Sequence, residues 1–141
     1  MKNVLRDTLT FTQTVEIKSE RIEDLLVTAL EGGSNHWLCL SSEELKNNAE
    51  KLKGETKAYR QIMLGATLSV FDVEEPDHKL GDLNAITIVS ALQAMANGED
   101  LKGKKNDHLK THFNNFVSEN DDAETADVVV QIAVLGEIVY G

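Results

Sequence analysis

The chain has only one cysteine and one proline, and it lacks any long apolar run. A single thiol excludes an internal disulfide. We interpret Cys39 as a buried small hydrophobe rather than a reactive thiol, because it lies in the apolar tract 37–40. No apolar segment approaches the ~20 residues that a membrane span needs. Residues 1–15 do not resemble a signal peptide, so we expect a protein of the reducing cytoplasm without membrane contact.

Positive charge is also scarce: 14 Lys and Arg face 24 Asp and Glu, for a net charge of −10. Phosphate backbones are repelled by such a surface, so we do not expect binding to nucleic acid polymers. An acidic surface favours solubility, and it also permits mimicry of nucleic acid against a basic partner. The acidic residues are spread along the chain rather than gathered in one tail, which favours the first interpretation.

The 141 residues, of which 41% are hydrophobic, fit one compact domain spanning residues 1–141. Predicted strands and helices alternate only partly. We therefore predict an α+β fold, in which a small, mostly antiparallel sheet packs with four to five helices and a buried C-terminal helix.

The central element is predicted to be a helix over Ala123–Leu135. Asp121 or Asp122 is suited to cap its start, and Gly136 is suited to end it. Apolar residues point in several directions at helical spacing, so the helix should be buried on most sides. A strand is the alternative, because the segment is rich in β-branched residues. A short final strand is predicted over residues 138–140.

Three further segments are predicted to be extended, and an irregular start is expected for residues 1–7. The clearest is residues 8–17, where apolar side chains alternate with threonines in the period-two pattern of a strand with one buried face. The others are residues 37–40, 67–73 and, less clearly, 59–64.

Four more helices are indicated by capping residues and apolar spacing. They begin after Ser19, Ser41, Asp82, and Asn106 or Asp107. The first should stop at Gly32 and Gly33, with a positive φ at the glycine pair. The third, over residues 83–96, is predicted to turn Ile86, Val89, Leu92, Met95 and Ala96 inward.

The first candidate site is the loop that follows the first helix. Two glycines can expose backbone N–H groups there, polar side chains cluster after them, and a large ring follows that could stack on a base. The alternative is an ordinary helix stop followed by a core tryptophan. The residues concerned are Gly32, Gly33, Ser34, Asn35, His36 and Trp37.

The second candidate site is the start of the C-terminal helix, with Thr125, Asp127 and Gln131. Asp127 and Gln131 are four positions apart and share a helical face, and Gln131 stands among apolar neighbours and needs a partner if buried. These side chains are suited to read the edge of a ligand. An internal polar network that joins this helix to the glycine pair is equally compatible with the pattern.

Metal and catalytic sites have little support. Asp121, Asp122 and Asp127 match no calcium loop. His108 and His112 have the spacing of a zinc pair, but they lack the glutamate of hydrolytic zinc helices and an evident third ligand, so a solvated helical edge is favoured. No nucleophile elbow, Walker loop or dinucleotide fingerprint is present. We therefore expect no enzyme and no cofactor.

Two motifs carry a resemblance. Residues 31–37 (EGGSNHW) and residues 122–127 (DAETAD), continuing through Gln131 to residues 136–141 (GEIVYG), resemble a family of small bacteriophage proteins along the whole chain. His36 departs from the family pattern, in which an aromatic such as tyrosine often stands at that place. We associate the family with phage anti-CBASS sponges, oligomers that sequester cyclic nucleotide signals without cleaving them.

This resemblance implies a homo-oligomeric anti-defence protein of the host cytoplasm that binds a small nucleotide-like ligand. Trp37 or His36 would stack on a base, the loop would donate to phosphate or sugar, and Asp127 and Gln131 would read base edges. A cation such as Arg60 or Arg21 would offset the repulsion of phosphates. The alternatives are an acidic inhibitor of a host protein and, more weakly, a metal-dependent hydrolase.

Overall fold

The computed structural model describes residues 7–141; most of the irregular start predicted for residues 1–7 therefore lies outside the described part. Within these residues six α-helices pack with a three-stranded antiparallel sheet, which confirms the predicted α+β class with more helices than the four to five expected. The elements in chain order are α1 (Ser19–Thr28), β1 (Leu38–Leu40), α2 (Ser42–Lys51), α3 (Ala58–Met63), β2 (Leu68–Asp72), β3 (Lys79–Leu83), α4 (Ala85–Ala96), α5 (Asp107–Val117) and α6 (Ala123–Leu135).

Helix α6 is the centre of the molecule. It begins and ends as predicted: the side chain of Asp122 accepts a hydrogen bond from the Thr125 N–H, and Gly136 closes the helix in the left-handed conformation with φ of 84°. Every residue from 125 to 133 is buried against α1, α4, α5 or β3. The helix interpretation of this segment is therefore correct, and the strand alternative is wrong.

The sheet has the order β1-β2-β3. Leu40 pairs with Val70 across β1 and β2, and Leu68 pairs with Leu83 across β2 and β3. Strand β3 lies directly on α6: a Cβ atom added to Gly81 would stand 2.5 Å from the backbone oxygen of Val134. The absence of a side chain at this position allows the sheet to approach the central helix.

Two predicted strands are wrong. Residues 8–17 form no strand within the described chain, and all but Ile17 are exposed. Residues 138–140 likewise form no strand. Alternating side chains indicate an extended conformation, but a strand also needs a hydrogen-bonding neighbour, and the described fold offers these segments none.

One further extended segment and one helix cap also need correction. Residues 58–63 form α3 rather than an extended segment, and the buried side chain of Gln61 donates to the backbone oxygens of Leu45 and Glu55. Asp82 lies in β3 opposite Ser69, and Asn84 rather than Asp82 caps α4 through a hydrogen bond from the Thr87 N–H.

The face of α4 that points inward differs in part from the predicted one: Leu92 and Met95 are buried as expected, and Ala96 is half-buried. Ile88 and Ala91 are buried, whereas Ile86 and Val89 are 76% and 59% exposed. Helix α4 contains no charged residue, so its sequence favours no face strongly.

No helix within residues 7–141 has the length and apolarity of a transmembrane span.

Candidate functional site

The glycine pair brings the first candidate site against the second. After α1 the chain makes a π-helical turn over Ala29–Gly33. A Cβ atom on Gly33 would lie 3.0 Å from the backbone oxygen of Ala123, the first residue of α6. Neither glycine has the predicted positive φ, and Gly32 is extended at φ 175°. Close approach to α6 is therefore what Gly33 contributes.

Asp127 joins the loop to α6. Its Oδ1 atom accepts hydrogen bonds from the Ser34 hydroxyl and the Trp37 indole N–H, both at 2.7 Å. Its Oδ2 atom accepts from the side-chain amide of Gln131 at 2.9 Å and lies 3.7 Å from Nε2 of His36. A buried carboxylate is costly unless donors compensate it, and here several do. The contacts form an internal polar network, one of the two arrangements expected from the sequence.

Gln131 extends this network to residues 136–141, here called the tail. Its Oε1 atom accepts from the backbone N–H groups of Val139 and Tyr140, both at 2.9 Å. Its amide nitrogen donates to the Tyr140 carbonyl at 3.0 Å as well as to Asp127. Both lone pairs and both protons of the amide are thus engaged within the protein. Gln131 can bind a ligand only if the tail leaves it.

Trp37 is buried beside the same hydrogen-bond network. Its side chain is buried, and its ring stacks on that of Tyr140 with centroids 5.5 Å apart and planes 11° from parallel. A ligand base can reach the indole only if Tyr140 moves. The sequence analysis gave Tyr140 no role at the site. Its contact with Trp37 joins two residues that are far apart in sequence, so no local pattern indicates it.

Asn35 and His36 remain open. They stand between Ser34 and Trp37, which are both held by one carboxylate oxygen, so the loop must turn these two residues outward. The side chain of His36 is 46% exposed. Within residues 7–141 no hydrogen bond engages the Asn35 side-chain amide or the His36 backbone N–H. The molecule therefore presents free polar groups on a loop anchored at both ends.

Thr125 serves a different contact. Its hydroxyl lies 2.8 Å from Nδ1 of His112 on α5, so it links two helices instead of facing the loop. The backbone N–H of Thr125, and then its hydroxyl, lower the pKa of Asp122, with a further contribution from the charge of His112. The carboxylate is thus favoured at the start of α6, where the helix dipole also stabilises negative charge.

The two candidate cations are paired with carboxylates. Arg60 lies 3.3 Å from Glu23 and 3.7 Å from Glu55. Arg21 binds Asp121, and its guanidinium lies over the Phe116 ring, 5.1 Å from the centroid. Both arginines hold helices together, and within the described chain neither contacts the exposed loop residues.

No group of three or more His, Cys, Asp or Glu side chains among residues 7–141 is arranged to hold a metal ion. Four grooves that described residues form on the surface are lined by residues other than Trp37, Asp127 and Gln131. The site is therefore an exposed loop over a buried network. In comparison with known proteins, no family model, curated protein or solved structure shows a significant match to the chain.

Proposed function

We propose that the chain is a non-catalytic phage anti-defence protein that acts in the host cytoplasm, where it binds and sequesters a small nucleotide-like signal. The observation that carries this proposal is the exposed pair Asn35 and His36, held between two residues anchored on Asp127. A rigid loop with unengaged donors and acceptors loses little conformational entropy on binding, which favours affinity without chemistry.

In this proposal some of the residues that the resemblance singles out contact the ligand, and the others hold the loop in place. Asn35 and His36 contact the ligand, with the imidazole stacking on a base and the amide and backbone N–H binding phosphate or sugar. Gly32 and Gly33 shape the loop. Ser34, Trp37, Asp127 and Gln131 are positioning residues, because their hydrogen-bonding groups are occupied inside the protein.

Electrostatics limit the ligand to a small one. A net charge of −10 repels phosphates, and Arg60 is already paired with Glu23. Uncharged donors such as the Asn35 amide and the His36 N–H bind phosphate oxygens without an added cation. A compact signal with a few phosphates fits this loop better than a long polyanion does.

Isothermal titration against cyclic di- and trinucleotides tests the proposal. We expect binding by the native protein and at least about a tenfold loss for His36→Ala, equivalent to about 1.4 kcal/mol. His78→Ala is the matched control, because His78 is an exposed histidine on the β2–β3 turn and should leave affinity unchanged.

The absence of heat with every ligand of the panel, from protein shown to be folded, would remove the nucleotide hypothesis. Equal losses for His36→Ala and His78→Ala would remove the assignment of the loop. Mass spectrometry of the small molecules released by heating protein purified from its host should recover the ligand intact. Recovery of a cleaved product would instead favour the hydrolase alternative.

An acidic inhibitor of a host protein is the second candidate. The turn between β2 and β3 exposes Glu74, Glu75 and Asp77 together. Such a turn is suited to a basic surface on a partner, since clustered charge steers association.

A further inference from the structure

Residues 8–17, here called the arm, are an amphipathic segment that pairs with no strand within residues 7–141. One side carries Thr8, Thr10, Thr12 and Thr14, and the other carries Leu9, Phe11, Gln13, Val15 and Ile17. Phe11 and Leu9 are 89% and 66% exposed. Within the described chain no backbone hydrogen bond engages residues 8–17. β-Branched residues, period-two apolarity and free backbone groups are together the properties of a strand without its partner.

The base of the arm already lies beside α4. Gln13, Val15 and Ile17, which are alternate residues, line one wall of a groove of about 260 Å³ whose other walls include Val89 and Phe113. The apolar side of the arm therefore points toward the helices, while the remainder extends past them into solvent.

The arm and α4 share an unusual lack of charge. The arm contains one charged residue, Glu16, and α4 contains none, in a chain whose net charge is −10. Two copies of such a chain repel each other except where uncharged surfaces meet. The exposed side of α4 carries Ile86, Val89 and Gln93, so the arm and this side of α4 are both exposed and carry little charge.

We propose that the arm pairs with the arm of a second copy of this chain, forming an antiparallel two-stranded ribbon that packs on the α4 faces of both copies. The proposal gives a structural form to the self-association that the resemblance implies, and it does not depend on the identity of the ligand. Antiparallel pairing of one segment with itself is the contact that a two-fold axis produces. An isolated ribbon is marginally stable in water, and the apolar α4 faces supply the packing that it lacks.

The ribbon explains two features of the monomer: the arm has no paired strand, and Phe11 is exposed. Along the edge that faces the partner, the N–H and C=O groups of alternate arm residues bind the partner's arm, and Phe11 leaves water against the partner's α4. Because the contact is reciprocal, each copy supplies one arm and one helix face, so the interface closes as a dimer and leaves no free arm.

Sedimentation equilibrium of the full chain over a range of concentrations tests the proposal. We expect a dimer of twice the 15.6 kDa chain mass. Phe11→Asp and Val89→Asp should each weaken dimerisation by about 30-fold or more, since both place a charge in an apolar contact. Thr12→Asp is the matched control, with the same added charge on the threonine side of the arm, and should weaken dimerisation far less.

A native protein that stays monomeric at every concentration up to about 0.5 mM, far above the micromolar range of specific association, overturns the proposal. A dimer that resists Phe11→Asp also overturns it, as does equal weakening by Phe11→Asp and Thr12→Asp. Because Phe11 and Val89 are exposed, the variants should keep the native circular dichroism and urea midpoint, which separates loss of dimer from loss of fold. The titrations with nucleotides are independent of these results.

Discussion

At the scale of single residues, the buried carboxylate of Asp127 decides how the loop and α6 stay together. It lies among apolar core residues, and its charge is compensated by the donors of Ser34, Trp37 and Gln131. Loss of one donor leaves part of a buried charge without a partner, which costs more than an ordinary hydrogen bond contributes. The network therefore stabilises the fold only while all of its donors are present.

Replacement of Trp37 by phenylalanine tests this. The variant keeps an aromatic ring against Tyr140 but removes the indole N–H that donates to Asp127. We expect the free energy of unfolding to fall by about 2–4 kcal/mol, from the lost charged hydrogen bond and the smaller ring. Urea denaturation followed by circular dichroism gives the difference.

Tyr140→Phe is the control for Trp37→Phe. Within residues 7–141 no hydrogen bond engages the Tyr140 hydroxyl, and the stacked pair remains. This variant should change the free energy of unfolding by less than about 0.5 kcal/mol. Similar small losses in both variants would show that the indole donor contributes little.

At the scale of elements, the contact between β3 and α6 places the sheet. Gly81 approaches the last turn of α6 so closely that a methyl group would overlap the Val134 carbonyl at 2.5 Å. Real Cβ atoms do not come so near to backbone, so either the strand or the helix would have to shift. The sheet can occupy its position only because this residue has no side chain.

Gly81→Ala should therefore lower the free energy of unfolding by about 1–3 kcal/mol, the usual cost of overpacking. Trimming the neighbouring side chain with Val134→Ala in the same protein should not restore stability, because the overlap is with the backbone oxygen. Full rescue by the second substitution would assign the strain to the valine side chain. Thermal and urea denaturation of the native protein and the two variants provide the comparison.

The helices and strands also show which structural features local sequence patterns predict and which they do not. The caps and spacing of α6 predicted its bounds, because a cap and its first turn are neighbours in sequence. The buried face of α4 was predicted correctly for Leu92 and Met95 but not for Ile86 and Val89, because a helix without charged residues has no polar side to define the opposite one. Residues 8–17 were predicted as a strand from their alternation, and residues 138–140 from their β-branched and aromatic side chains. Both signals are local, whereas the partner of a strand is not.

At the scale of the whole molecule, the charge of −10 governs what the protein can associate with. It disfavours polyanions, it keeps copies apart except at uncharged surfaces, and it favours basic partners. The inhibitor alternative belongs to this scale, because it depends on the field of the molecule more than on a single site.

Capture of a partner from host lysate tests that alternative. If the β2–β3 turn binds a host protein, Glu75→Lys should reduce capture severalfold, and capture by the native protein should fall steeply between low and high salt. Glu50→Lys makes the same change of charge on the exposed side of α2 and is the control. Capture that is insensitive to salt, or equally reduced by both variants, would argue against the inhibitor.

The sequence by itself determined the α+β class and the limits of the central helix. Those features follow from spacing, capping and composition, which act over a few neighbouring residues. Only the tertiary structure decided that Asp127 binds Ser34 and Trp37, 93 and 90 positions away, and that Tyr140 covers the indole. Hydrogen-bond partners of buried groups are set by whichever segments the fold brings together, and that choice leaves no local pattern in the chain.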